Sequence, residues 1–259
     1  MPVKAKNSGT IPTVVSDARR QLYYELVSGA SGLVLALFMW GHMVLVGSIL
    51  TGERGFNWLA EMLEVYYIAQ PTIVVILALF LVHAALASRK IPAQLAERRR
   101  MIELGKGLAH AGRDRPATAS AISPLQAHVE SRLWIWQVRT GMVVLVLGSF
   151  HVILLGLDVL TPLFGERPGI EALTSIARVK AGLWLPYAIL LLCVEFHASV
   201  GLYRLAVKWG VGRLFSRRAL HLIERVLLWF FLGLGLVVLL VLADVLPPPL
   251  AFLLTGPAT

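Results

Sequence analysis

Five runs of this sequence are long, apolar and almost free of charge, and they leave few folds open. They are Leu26–Gly52, Val65–Ser88, Thr140–Leu157, Ala181–Tyr203 and Val226–Ala243, each bounded by charged residues, with Glu195 the one charge inside any of them. Each is close to the ~20 residues a helix needs to cross about 30 Å of hydrocarbon. The runs are continuously apolar rather than alternating, which predicts helices and not barrel strands. The whole chain is 57% hydrophobic and 15% charged, with a mean hydropathy of +0.74. Soluble domains carry about 25% charged residues. Disorder is excluded, because there is far more apolar surface than ordering entropy requires. A water-soluble enzyme is disfavoured, because the polar residues are too few to cover such a core. The expected fold is all-α: a single membrane domain over 1–259, built as a bundle of five transmembrane helices. The spans are expected at about 24–51, 67–89, 132–158, 181–208 and 222–246. The polar N-terminal arm has no apolar core and does not read as a cleavable signal peptide.

Charge gives the bundle a direction. Lys and Arg number 24 against 15 Asp and Glu, a net charge of +9. Twenty of the basic residues fall in the N-terminal arm and in the connections 89–139 and 204–225. The other four, Arg54, Arg167, Arg178 and Lys180, fall on the opposite side of a five-span bundle. Acids divide evenly, with Glu195 between, so one face carries +13 and the other −3. The positive-inside rule then predicts a cytoplasmic N-terminus, an outside (periplasmic) C-terminus and a cytoplasmic loop at 90–131. This division replaces the nucleic-acid reading that a basic chain invites. The loop opens with helix-compatible IPAQLAERRRMIELGKGLAHA and continues into turn-forming GRDRPATASAISP. It reads equally as a solvated loop or as a basic docking surface for a cytoplasmic partner. The single cysteine, Cys193, excludes an internal disulfide and any four-thiolate zinc or iron–sulfur site. The triple proline Pro247–Pro249 is expected to end the fifth span.

Four of the seven histidines lie inside spans, one per span: His42, His83, His151 and His197. Ionisable residues within a bilayer are rare and mostly functional. Each sits late in its span, and successive spans run in opposite directions. His42 and His151 therefore fall toward the outer face, His83 and His197 toward the inner face. Two imidazoles at each of two depths is the arrangement that ligates two stacked haems, each iron held from both sides. Without a C-x-x-C-H sequence the haems are non-covalent, b-type. A pair of histidines per level leaves a zinc shell unfilled. Gly29, Gly32, Gly41, Gly141 and Gly148 offer close approach, either between helices or to a macrocycle. Trp134, Trp136, Arg139, Arg204 and Lys208 are available near the inner surface. They suit propionates or, more simply, an aromatic belt with snorkelling cations.

Two carboxylates invite proton roles. Glu195 is an acid deep in a span, about 200° around the helix from His197 and about 3 Å deeper. It reads either as a proton relay or as a neutral acid hydrogen-bonded locally. Glu64, in GERGFNWLAEMLEVYYIAQP, sits near the expected outer haem level and reads either as an acceptor of protons from a quinol or as a solvated loop acid. Spacing alone does not separate it from Glu61.

These features resemble a known family, the dihaem cytochrome b membrane subunit of quinol:fumarate reductases and related succinate dehydrogenases. The resemblance rests on VEFHASVGLYRLAVKWG at 194–210, on GLVLALFMWGH ending at His42 and on LWIWQVRTGMVVLVLGSFH ending at His151. It implies a membrane-anchor subunit that oxidises menaquinol near the outer face and passes electrons through two b haems to an iron–sulfur subunit. Fumarate chemistry then lies on the flavin of another chain. It also implies an inner-membrane location, cytoplasmic iron–sulfur and FAD-bearing flavoprotein partners, and a dimer of heterotrimers among the assemblies open to it. By the resemblance His42 and His151 match the outer-haem ligands, and His83 and His197 the inner-haem ligands. Glu64, rather than Glu61, matches the quinol-site acid, and Glu195 matches an acid linked to compensating proton movement. Trp134 and Lys208 match positions near haem propionates. The stretch YYELVSGAS departs from the pattern, with the expected donors before the first glycine replaced. Other readings are a stand-alone transmembrane b cytochrome, a dehydrogenase running toward quinone, and a transporter with a His and Glu proton relay.

Overall fold

The computed structural model describes residues 14–113, 129–166 and 168–254. Lys4 and Lys6 of the N-terminal arm, residues 114–128 of the basic connection and Arg167 lie outside the described residues. Among the described residues there are eight α-helices and no strand: α1 Val14–Gly47, α2 Glu53–Val65, α3 Ala69–Ser88, α4 Ile91–Arg113, α5 Val129–Leu160, α6 Ala172–Arg178, α7 Trp184–Lys208 and α8 Arg217–Leu242. Five helical stretches are long and apolar enough to cross a membrane: Ala18–Thr51, Ala69–Gly107, Arg132–Leu160, Ala172–Lys208 and Arg217–Leu242. In hydrocarbon every backbone polar group needs an internal partner, and a continuous helix supplies it. Large apolar side chains such as Val74, Val146 and Trp229 point outward and are about two-thirds exposed. In water that surface invites association, whereas lipid solvates it.

Several boundaries differ from the sequence-based expectation. The first helix begins at Val14, well before the apolar run, because the polar arm continues the same helical path. The basic connection is helical over Ile91–Arg113, after a two-residue break at Arg89 and Lys90. The stretch before α7 is wound as a π-helix over Val179–Leu183, where Gly182 takes φ +99°. The last helix stops at Leu242, ahead of the triple proline. Asp244 adopts a left-handed φ of 60°, and the Val245 N–H donates to the Leu240 carbonyl at 3.0 Å. That is a Schellman-type stop, so the proline run follows the helix end rather than causing it.

Helix α3 leans on α1, α5 leans on α7, and α8 closes against α7 and α1. A gap therefore runs between the α1/α3 pair and the α5/α7 pair. One end of the bundle is capped by α2, α6 and the C-terminal turn. Ile49, Leu50, Phe56, Ala172, Val179, Val238, Val241 and Leu242 form a buried cluster there. The Leu250 N–H donates to the Leu50 carbonyl, and the Ala172 N–H to Asn57 Oδ1, both at 2.8 Å. The opposite end carries the basic connections.

Candidate functional site

The gap between the helix pairs is a cavity of about 1330 Å³. Ordinary small-molecule sites occupy roughly 300–1,000 Å³, so this one has room for more than a single such ligand. All four span histidines line it. The structure brings His42 of α1 to His151 of α5, ring centres 6.3 Å apart. It brings His83 of α3 to His197 of α7, also 6.3 Å apart.

That separation tests whether the residues suit a haem iron. A metal–imidazole bond is about 2.0 Å, and the ring centre lies roughly 1.1 Å behind the nitrogen. Two such distances on each side of one iron give about 6.2 Å. Both histidine pairs therefore fit a single metal held from two sides. The hydrogen bonds orient the rings accordingly. His83 Nδ1 donates to the Ser28 carbonyl at 3.0 Å, and His197 Nδ1 to the Gln137 carbonyl at 2.9 Å. A carbonyl only accepts, so each ring keeps its proton on Nδ1 and its Nε2 lone pair free. Hydrogen bonds from the second ring nitrogen to a carbonyl hold metal-ligating imidazoles in a fixed orientation. His151 Nδ1 lies 3.4 Å from the Tyr187 hydroxyl, and His42 stacks on Phe38 at 5.7 Å between ring centres.

Two glycines make room for the rings. A Cβ on Gly32 would stand 2.8 Å from His83 Cε1, and one on Gly141 would stand 2.7 Å from His197 Cε1. On α1, Gly32 marks the level of one pair and His42 the level of the other. On α5, Gly141 and His151 do the same. Both intervals are ten residues, about 15 Å of rise. The two helices thus give the same spacing between the levels. Gly41 meets nothing within 4 Å, and Gly29 faces Leu205 and Trp209 rather than a histidine.

The remaining residues separate clearly. Trp134, Arg204 and Lys208 line the cavity at the basic end. Trp136 instead faces outward, with the Arg139 guanidinium 5.3 Å from its ring centre, so it belongs to the periphery. Glu195 lies on the far side of α7 from the cavity and is almost fully buried. Both of its carboxyl oxygens lack a hydrogen-bond partner, as do the buried Trp40 indole nitrogen and the Ser199 hydroxyl. Glu64 is exposed at the last turn of α2, and its neighbour Leu63 lines the cavity. Glu61 is exposed one turn earlier.

Some site residues carried no sequence signal that singled them out. Ser28 and Gln137 act through backbone carbonyls, which every residue has. Tyr187 is one aromatic among several in its span. Glu25 reads as the boundary of an apolar run, yet it lines the cavity and ion-pairs with both Lys90 and Lys208. The ten-residue interval from Gly32 to His42, repeated from Gly141 to His151, was visible in the sequence and marks both levels.

Comparison with known proteins points to one family. The family model for the succinate dehydrogenase/fumarate reductase transmembrane subunit matches residues 112–242. The fumarate reductase cytochrome b subunit of Helicobacter pylori (strain J99) is 34% identical over 220 residues, 82% of this chain and 76% of that protein. The protein of the same name from Wolinella succinogenes is 34% identical over 190 residues, 70% of this chain and 64% of its own length. Coverage of this extent, together with five membrane-crossing helices, places the chain in the succinate dehydrogenase/fumarate reductase transmembrane subunit family.

Proposed function

We propose that this chain is the membrane-anchor cytochrome b subunit of a fumarate reductase complex. In this reading it takes electrons from menaquinol near the outer face and delivers them to a cytoplasmic iron–sulfur subunit. A flavoprotein subunit then reduces fumarate. The observation that carries the reading is the pair of facing histidine couples, two levels deep, in one cavity. His42 and His151 would hold the outer haem b, His83 and His197 the inner one. Bound there, haem b supplies one-electron carriers at two depths of the membrane.

The chain's own groups do the rest. Gly32 and Gly141 leave space for the inner rings, and Trp134 and Lys208 at the cavity's basic end would hold the inner haem's propionates. The basic end is the cytoplasmic one by the positive-inside rule, and the capped end with α2 faces outward. Glu64 accepts a proton released by the quinol. Charge moving inward against a membrane potential costs about 2.3 kcal/mol per 100 mV. A proton moving with each electron cancels that cost. Glu195 suits the role because it is buried beside the Trp40 indole and does not line the haem cavity.

The test is spectroscopic. The purified complex should show two b-type haems and should co-purify with flavin and iron–sulfur proteins. His42→Ala and His151→Ala should each remove the same haem, and His83→Ala and His197→Ala the other. Absence of haem bands, or pairing of position 42 with 83, would overturn the reading.

A further inference from the structure

At the basic end of the cavity, Glu25 of α1 ion-pairs with Lys90, at the end of the second span, and with Lys208, at the end of α7. These three side chains are placed by the same helix faces that carry the inner histidine pair. Glu25 precedes Ser28, the carbonyl that holds His83, by one helical turn. Lys90 follows His83 by seven residues, two turns. Lys208 follows His197 by eleven residues, three turns. All three line the cavity, together with Arg204, which donates to Gln137 Oε1 at 2.5 Å. Glu25 is about one-third exposed, so the cluster sits at the cavity mouth rather than in open water. Among the described residues, no other carboxylate lines the cavity at this end.

A fixed charge next to a one-electron centre shifts its reduction equilibrium, because reduction adds negative charge. Lys90, Lys208 and Arg204 favour the reduced state, and Glu25 opposes them. We propose that Glu25 tunes the potential of the inner haem site, holding it below the value the site would have without this carboxylate. Glu25 acts through charge and through its hold on Lys90 and Lys208, so it is a positioning and tuning residue rather than an iron ligand. The outer pair is about 15 Å farther along the bundle, so the Coulombic effect of Glu25 is weaker there than at the inner site. The proposal rests on the haem assignment made under Proposed function.

The experiment is a redox titration of the whole purified complex followed at the haem bands, with His83→Ala identifying the inner component. Glu25→Gln should raise the inner midpoint, by about threefold to tenfold in the reduction equilibrium, the upper value being roughly 59 mV for one electron. Lys90→Gln should lower the same midpoint. Glu25→Asp, which keeps the charge, should stay near the wild-type value and guards against a folding defect in the neutral variant. The outer midpoint should move less than the inner one in all three. An inner midpoint that does not move, or two midpoints that move together, would overturn this proposal while leaving two haems in place. Absence of haem from the wild-type complex would overturn the underlying assignment as well.

Discussion

Arg178 and Asp158 form a buried ion pair that ties α6 to the end of α5 under the cap. The Arg178 Nε–H donates to Asp158 Oδ2 at 2.9 Å, and both side chains are at most 5% exposed. Phe164 lies against the guanidinium, 5.8 Å from its centre. Arg178 also lines the cavity on the side of His151. The pair thus joins the cap to the wall of the histidine site.

Breaking a buried pair by removing one partner costs about 3–5 kcal/mol, because the other charge is left uncompensated. Asp158→Asn should therefore lower the thermal stability of the detergent-solubilised complex sharply. Lys180 and Asp244 form an exposed pair nearby at 2.9 Å. Lys180→Gln should shift stability by less than about 1 kcal/mol. Melting curves of the two variants side by side check the contrast.

Gly32→Ala and Gly141→Ala each place a methyl group under 3.0 Å from an inner histidine ring. Each should cut haem content toward half by losing the inner haem while keeping the outer one. Gly233, on α8, has nothing within 4 Å of its added Cβ and does not line the cavity. Gly233→Ala should keep both haems. Haem quantification per mole of protein, with reduced-minus-oxidised spectra, decides this.

Glu195→Gln should keep both haems, since Glu195 lies off the cavity, yet lose most of the menaquinol-driven fumarate reduction. Reduction of fumarate from an artificial donor that bypasses the membrane subunit should stay at the wild-type rate. Full quinol-driven turnover in this variant would remove Glu195 from the proton route.

Glu64→Gln should likewise keep both haems and lose quinol oxidation, whereas Glu61→Gln should retain it. Both acids are exposed on α2 one turn apart, so matched quinol-oxidation assays of the two variants separate the specific position from the general charge of the loop.

Much of this architecture was readable along the chain. Apolar run length exposes the five membrane-crossing helices, because hydrocarbon admits only segments that satisfy their own backbone. The positions of His42, His83, His151 and His197 within alternating spans sort them by depth without any knowledge of packing. Boundaries were less legible. Where the polar arm joins α1, or where α8 stops at Asp244, the outcome depends on local caps and on what the end of the helix packs against.

The sequence by itself determined the number of spans and the depth of each histidine, since both follow from a one-dimensional balance of apolar length against charge. It also left Glu195 isolated in its span. Only the tertiary structure decided which faces meet. Spacing does not say that α3 leans on α1 while α5 leans on α7, leaving a cavity between them. Nor does it say that the carbonyls of Ser28 and Gln137 turn the inner rings, or that Glu25 reaches Lys90 and Lys208 from helices far apart in the chain. Those relations arise from side-chain packing between helices. Lipid solvates an apolar face as well as a neighbouring helix does, so hydrophobicity alone carries no information about which neighbour a helix takes.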